Sequence, residues 1–256
     1  VDRVDLADNT GTGWKETLFA QLEAQAVTEN TLKLDNPQQY SDTAITITPQ
    51  MVQIQTFISD KVRRNLNLKA LAQIGKLPGE AMMRKRDEDG LVAMDGSTIN
   101  LGAANTPVQT GDVTAARYRI SSNATEKGNP PYSGVYHGFC IKDFVDELTA
   151  GIGTYPIPVG STATVFQTGF TLPIAGVTIY EDGNIVIDTS DDAKNFVFAR
   201  EAWLLVNGMT LRSEPRREPD IAGGGDSLFM TDEYAYGERS AGNWSVENIG
   251  DATAPS

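Results

Sequence analysis

The sequence holds one cysteine, Cys140, and one histidine, His137. A lone thiol excludes an internal disulfide framework and fits a reducing, cytosolic origin. One His and one Cys fall short of the ligand set of a zinc centre, so this pair, three positions apart, reads as packing. A Ser-His-Asp triad would have to use His137, and no Gly-x-Ser-x-Gly elbow accompanies it. No apolar run approaches the ~20 residues that cross a bilayer. No secretory signal precedes the first polar stretch. The chain opens Val1-Asp2 without an initiator Met; a removed leader and a longer parent chain both account for that.

Partial motifs are present but lack their partners. Asp87-Glu-Asp89-Gly90 starts like a calcium loop, yet the later ligands are missing. Gly11-Thr-Gly13 and Gly223-Gly-Gly225 lack the lysine and preceding strand of a phosphate loop. Adjacent acids (Asp191-Asp192, Glu181-Asp182, Asp232-Glu233) are too common in this chain to single out a glycosidase pair, whose criterion is spatial. The inventory of an active site is largely absent. No catalytic residue, metal ligand or cofactor is assigned from sequence.

What the chain has is hydrophobic content and segregated charge. It has 256 residues, 40% of them hydrophobic, enough for one large or two modest cores. The net charge is −13, which argues against a generic nucleic-acid-binding domain. Within 61–86, however, lie Lys61, Arg63, Arg64, Lys69, Lys76, Arg84, Lys85 and Arg86, against the single acid Glu80. Eight cations less one acid leave +7 there and −20 elsewhere. Such segregation suggests one face that meets an anion; a solvated helical face is the alternative for an isolated monomer.

Local patterns suggest the elements. Residues 1–13 read as a flexible polar arm. Residues 14–30 have helical composition, with Leu18, Leu22 and Ala26 every four positions. Residues 43–58 alternate as extended structure, with Pro49 at an edge or bend. Residues 66–93 read as one long helix, interrupted and bent at Pro78-Gly79. A loop over 95–112 precedes a short helix over 110–121, with Asp112 at its N-terminus. A strand over 135–140 and a helix over 141–150 follow, then a Gly-, Pro- and Thr-rich loop over 153–175. Asp182-Gly183 between β-branched runs predicts a hairpin over 177–187. The apolar run 196–206 has helix-compatible length. Residues 209–218 and 226–236 read as strands, and 237–256 as a polar tail. The order is that of an α+β chain with segregated elements.

Three stretches together resemble the major capsid proteins of tailed bacteriophages, with the Hong Kong 97 type shell fold that encapsulins share. Residues 45–94 (ITITPQMVQIQ through DGLVAM) are similar to that family's passage from an extended loop into its spine helix. Residues 113–148, with VTAARYRISS, a Pro-Pro-Tyr turn and VYHGFCIKDFVDEL, resemble the axial domain's helix, strand and helix. Residues 174–252, with Gly-Val-Thr-Ile, FVFAREAWLL and Arg212-Ser-Glu-Pro-Arg-Arg217, resemble the return to the peripheral domain. The resemblance implies an N-terminal arm (1–27), an extended loop (28–48), a peripheral domain with the spine helix (49–94 and 209–256) and an axial domain (95–208).

It further implies a structural subunit that assembles with itself, as hexamers and pentamers, into an icosahedral shell around double-stranded DNA. The setting would be a virion capsid assembled in the host bacterial cytoplasm, with portal, scaffolding and decoration proteins as partners and no membrane. Arg63, Arg64, Lys69, Lys76, Arg84, Lys85 and Arg86 would line the interior and contact phosphates without reading sequence. Pro78 and Gly79 would mark the spine-helix bend, and Lys33, Asp35 and Tyr40 would make extended-loop contacts between subunits. An encapsulin compartment, with a peptide groove in place of a basic stripe, is the alternative reading. An α/β enzyme would need an acid, base and nucleophile set that one His does not supply. A decoration or tail protein would be β-rich, without the long helix of 66–93.

Overall fold

The computed structural model describes all residues except 7–10, 20–21, 25, 27–38, 40, 67, 124–125, 150–172, 222, 241 and 256. Two sheets and a long helix organise it. The first sheet has the order β1 (Asp2–Asp5), β9 (Trp203–Glu218), β10 (Gly225–Glu238), β4 (Gln50–Ser59). The second runs β5 (Asn100–Gly102), β11 (Ser245–Asp251), β8 (Asp192–Ala199), β6 (Tyr132–Tyr136), β7 (Val177–Glu181). A separate ribbon pairs β2 (Trp14–Phe19) with β3 (Asp42–Ile47), antiparallel. The helices are α1 (Asp60–Asn65), α2 (Leu68–Met94), α3 (Thr110–Ser121) and α4 (Gly138–Thr149).

The main core lies under the five-stranded sheet. Val113, Ala116 and Ile120, spaced three and four apart on α3, are fully buried beside Val177, Val197 and Val246 from three strands. From α4, Cys140 and Phe144 fill the same core, and the Phe144 ring meets Tyr136 edge-on at 5.2 Å. Buried polar groups stitch the central strands. Asn195 donates to the Asn248 carbonyl at 3.1 Å and accepts from the His137 amide at 2.9 Å. Asn248 in turn donates to the Tyr136 hydroxyl at 3.1 Å. Burial holds that phenol far above its ordinary pKa.

Several elements follow their sequence pattern. Helix α3 spans Thr110–Ser121, with a capping box between Gln109 and Asp112. β3 and β4 flank Pro49, and α2 forms the expected long helix, but without the expected interruption at Pro78-Gly79: it runs unbroken through Pro78. Others depart from it. Residues 14–19 form β2 and not the start of a helix; a four-residue repeat also keeps one face of a strand, and pairing with β3 decides between the two. The first residues are not a free arm, since β1 pairs in parallel with β9 at 204–207.

The strand expected over 135–140 ends at Tyr136, and α4 already begins at Gly138. The hairpin expected over 177–187 does not form. β7 pairs in parallel with β6, the Asp182 amide bonds the Tyr136 carbonyl at 3.0 Å, and Ile185 turns into the core. The helix expected over 196–206 is instead the end of β8 and the start of β9, joined by a single 3-10 turn at Arg200–Ala202. A continuous apolar run also suits a strand covered on both faces, and Phe196, Val197 and Phe198 are all buried. The polar tail contains β11, which lies between β5 and β8 and is mostly buried. The span 209–256 thus gives β10 and most of β9 to one sheet and β11 to the other.

Candidate functional site: the basic spine helix

Helix α1 starts where Ser59 caps it, its hydroxyl accepting the Val62 amide at 3.3 Å. Helix α2 follows with 27 residues, about 40 Å at 1.5 Å per residue. Its described sheet-facing stripe is Pro78, Met82, Arg86, Gly90 and Met94, at four-residue spacing; all are buried except Arg86, which is partly so. Gly90 allows a close approach: a Cβ there would stand 3.2 Å from the Tyr236 ring, tighter than ordinary van der Waals contact. Pro78 cannot donate to the preceding turn, yet the helix continues through it. At the neighbouring Gly79 an added Cβ would make only ordinary contact, 3.9 Å from the Met230 Cε.

The seven cations proposed from sequence separate into different environments. Arg86 turns inward, with its side chain 20% exposed. Its guanidinium pairs with Asp232 at 3.4 Å, donates to the Asn207 amide oxygen, and lies 5.1 Å from the Tyr234 ring centroid. Asp232 itself is 4% exposed. The Tyr236 hydroxyl donates to the Arg86 carbonyl at 3.0 Å, and the Tyr234 hydroxyl to Asp89 at 2.8 Å. Asn207 also donates to Asp5 at 2.6 Å, so Arg86 joins the helix, the sheet and β1.

The other described cations face outward. Lys85 pairs with Asp89 one turn on, at 2.5 Å, and remains half exposed. Lys76 and Arg84 are exposed and pair with no acid among the described residues. On α1, Arg64 reaches, among the described residues, only the Asp60 carbonyl, at 3.4 Å. Arg63 belongs to an exposed network at the hairpin end: it pairs with Asp226 at 2.6 Å, while Arg217 bridges Asp60 and Asp226 at 2.5 and 3.3 Å. The Arg217 hydrogen bond holds the Asp60 carboxyl below its ordinary pKa. Lys69 lies on α2, but its side chain is outside the described set, as are residues Lys33 and Asp35 and Tyr40.

Sequence reading did not find the roles of Asp60, Asp226 and Arg217, because they lie far apart in the chain and meet only when β9 and β10 pair. Asp232 could have been suspected, as an acid amid a β-rich apolar stretch.

Open grooves border α2, two of them against the sheets. One of about 580 Å³ runs between β3, β4, β10 and α2, lined by Ile47, Met51, Tyr234 and Tyr236 among others. A smaller one of about 260 Å³ lies between α2 and the turn at 184–186. Neither holds His137 or Cys140. The His137 ring nitrogen Nδ1 accepts the Phe139 amide at 3.2 Å at the start of α4, and burial lowers its pKa. The Cys140 thiol is pushed up to about 11, chiefly by burial. Among the described residues, no group of three or more His, Cys, Asp or Glu is placed to hold a metal.

Comparison with known proteins gives a consistent result for the fold. No family model matches the chain, and no curated protein matches it by sequence. Solved structures do match. The capsid of Ralstonia phage GP4 aligns with a TM-score of 0.74 at 11% identity, covering 98% of this chain and 87% of that one. The capsid of cyanophage Pam1 aligns with a TM-score of 0.74 at 12% identity, covering 99% and 89%. The SrpI encapsulin of Synechococcus elongatus PCC 7942 aligns with a TM-score of 0.68 at 9% identity, covering 100% and 87%. The architecture is therefore the fold that these phage capsids and the encapsulin share. The chain has the Hong Kong 97 type fold, with α2 as its spine helix.

Proposed function

We propose that the chain is a major capsid protein. It assembles with itself, as hexamers and pentamers, into an icosahedral shell that encloses double-stranded DNA within a virion built in a bacterial cytoplasm. One observation carries the reading: nearly the whole chain superposes on the capsids of several bacteriophages. The encapsulin neighbour keeps a protein compartment as the second reading. The exposed cations on α1 and α2 favour a polyanionic cargo over a peptide cargo.

In this reading, Arg64, Lys69, Lys76, Arg84 and Lys85 face the interior and neutralise phosphates without sequence preference. Arg63 does so more weakly, since Asp226 already engages it. Arg86 serves the fold instead. Residues 28–48, with Lys33, Asp35 and Tyr40, reach a neighbouring subunit, and Pro78-Gly79 lets the spine helix bend between assembly states. Peripheral and axial parts correspond to the two sheets. Portal, scaffolding and decoration proteins complete the particle.

The test separates shell from cargo. Expressed alone, the wild-type chain should sediment as large uniform particles. Replacing Lys76 and Arg84 with Ala should leave particles intact while lowering nuclease-protected DNA and its salt dependence. Equal loss of particles and DNA would assign the cations to subunit contacts.

A further inference from the structure

The two outer edges of the four-stranded sheet are treated very differently by the sequence. Beyond its pairing with β1, the outer edge of β9 is blunted: Pro215 interrupts its donors, and Arg212, Glu214, Arg216 and Arg217 crowd it with charge. β4 forms the opposite edge, pairing with β10 on one side and, among the described residues, with no strand on the other. Its ten residues, QMVQIQTFIS, contain no charge, no proline and no glycine. Edge strands of monomers normally carry one of those protections. The second sheet meets the same demand by shortness, since its edge strands β5 and β7 have three and five residues.

The side chains leave the β4 edge accessible. Gln53 and Gln55 direct their amides inward, to Thr231 at 3.1 Å and Ser227 at 3.4 Å on β10. Met51 stays 66% exposed on the same face.

We propose that β4 pairs antiparallel with β4 of a second copy about a two-fold axis, joining two four-stranded sheets into one of eight. The occupant follows from charge and symmetry. An uncharged strand meets its own copy without like-charge opposition. A two-fold contact uses the same patch on both partners and closes on itself. β1, the other candidate strand, carries Asp2, Arg3 and Asp5 and is already paired to β9. Any shell of hexamers and pentamers has two-fold relations between neighbouring rings, so the proposal rests on the shell reading and assigns β4 to that junction.

The experiment is a cysteine scan. The native thiol, Cys140, is buried, so a cysteine placed at Met51, Gln53, Gln55 or Phe57 would be the accessible one. Purified particles of each variant are oxidised mildly and run on non-reducing gels. Antiparallel self-pairing predicts covalent dimers at one position or two neighbouring ones, near the axis, and none in dilute unassembled subunit. Particles that form normally but give no dimer at any position would overturn the β4 contact. Cross-links to another segment, identified by mass spectrometry, would overturn the choice of occupant.

As a second variant, Met51→Lys, at a side chain 66% exposed in the subunit, should lower the denaturant concentration that dissociates particles while leaving thermal unfolding of the free subunit unchanged. Unchanged dissociation would also count against the contact. Absence of particles from the wild-type chain would instead refute the shell reading itself.

Discussion

Replacing Arg86 with Ala tests whether the basic segment is one functional unit or two. The substitution leaves Asp232, 4% exposed, without its cation, and removes the donor to Asn207 and the charge over Tyr234. Deleting one partner of a buried ion pair costs about 3–5 kcal/mol. The 3.4 Å separation and the 20% exposure of Arg86 place this case at the lower end. The expected loss is about 3 kcal/mol, or roughly a 150-fold fall in the folded-to-unfolded ratio. Arg84→Ala, two residues away on the exposed face, should stay within about 0.5 kcal/mol of wild type. Urea unfolding of the unassembled subunit, followed by tryptophan fluorescence, reads both. Arg86→Met with Asp232→Leu should recover most of the loss, because no lone buried charge remains. Equal stability of the Arg84 and Arg86 variants would refute the reasoning.

Three further outcomes follow from the geometry. Burial raises the pKa of Glu238, whose carboxylate accepts the Gly242 amide at 2.8 Å. The folded state then binds a proton that the unfolded chain has released, so stability rises as pH falls through the raised pKa toward 4.5. Glu238→Gln, which keeps an acceptor, should raise the urea midpoint at pH 8 and flatten that slope; an unchanged slope would contradict it. The Cys140 thiol, with its pKa near 11, should react with a charged thiol reagent only after unfolding, and rapid native labelling would show that the α4 core opens. Gly102 sits at φ +82°, with the Ile249 carbonyl where a Cβ would go. Gly102→Ala should therefore cost more than about 2 kcal/mol in thermal unfolding, and a neutral result would contradict the β5–β11 register.

Much of the architecture was legible where a single local rule dominates. Asp112 announces the start of α3, and the period of 66–93 announces α2 even with Pro78 inside. The misreadings share one cause: pairing with a distant strand outweighs local pattern. The run at 196–206 suits a helix or a buried strand alike, and only its neighbours β11 and β6 decide. Asp182-Gly183 is a strong hairpin signal, yet β7 gains more from parallel pairing with β6, and the turn instead docks Asn184 onto Asp87 of α2 at 2.6 Å. β11 hid in a polar tail because Glu247 and Asn248 are buried polar residues. For the site, composition located the cations but not their directions. Arg84, Lys85 and Arg86 are adjacent in sequence, and at about 100° per residue the helix sends only the last of them into the sheet.

The central claim is that this chain builds a closed shell. Electron microscopy of the purified, self-assembled protein tests it most directly. Uniform hollow particles tens of nanometres across, tiled by six-fold and five-fold rings, are the predicted result. A chain that remains a compact monomer or dimer under all assembly conditions would contradict the account.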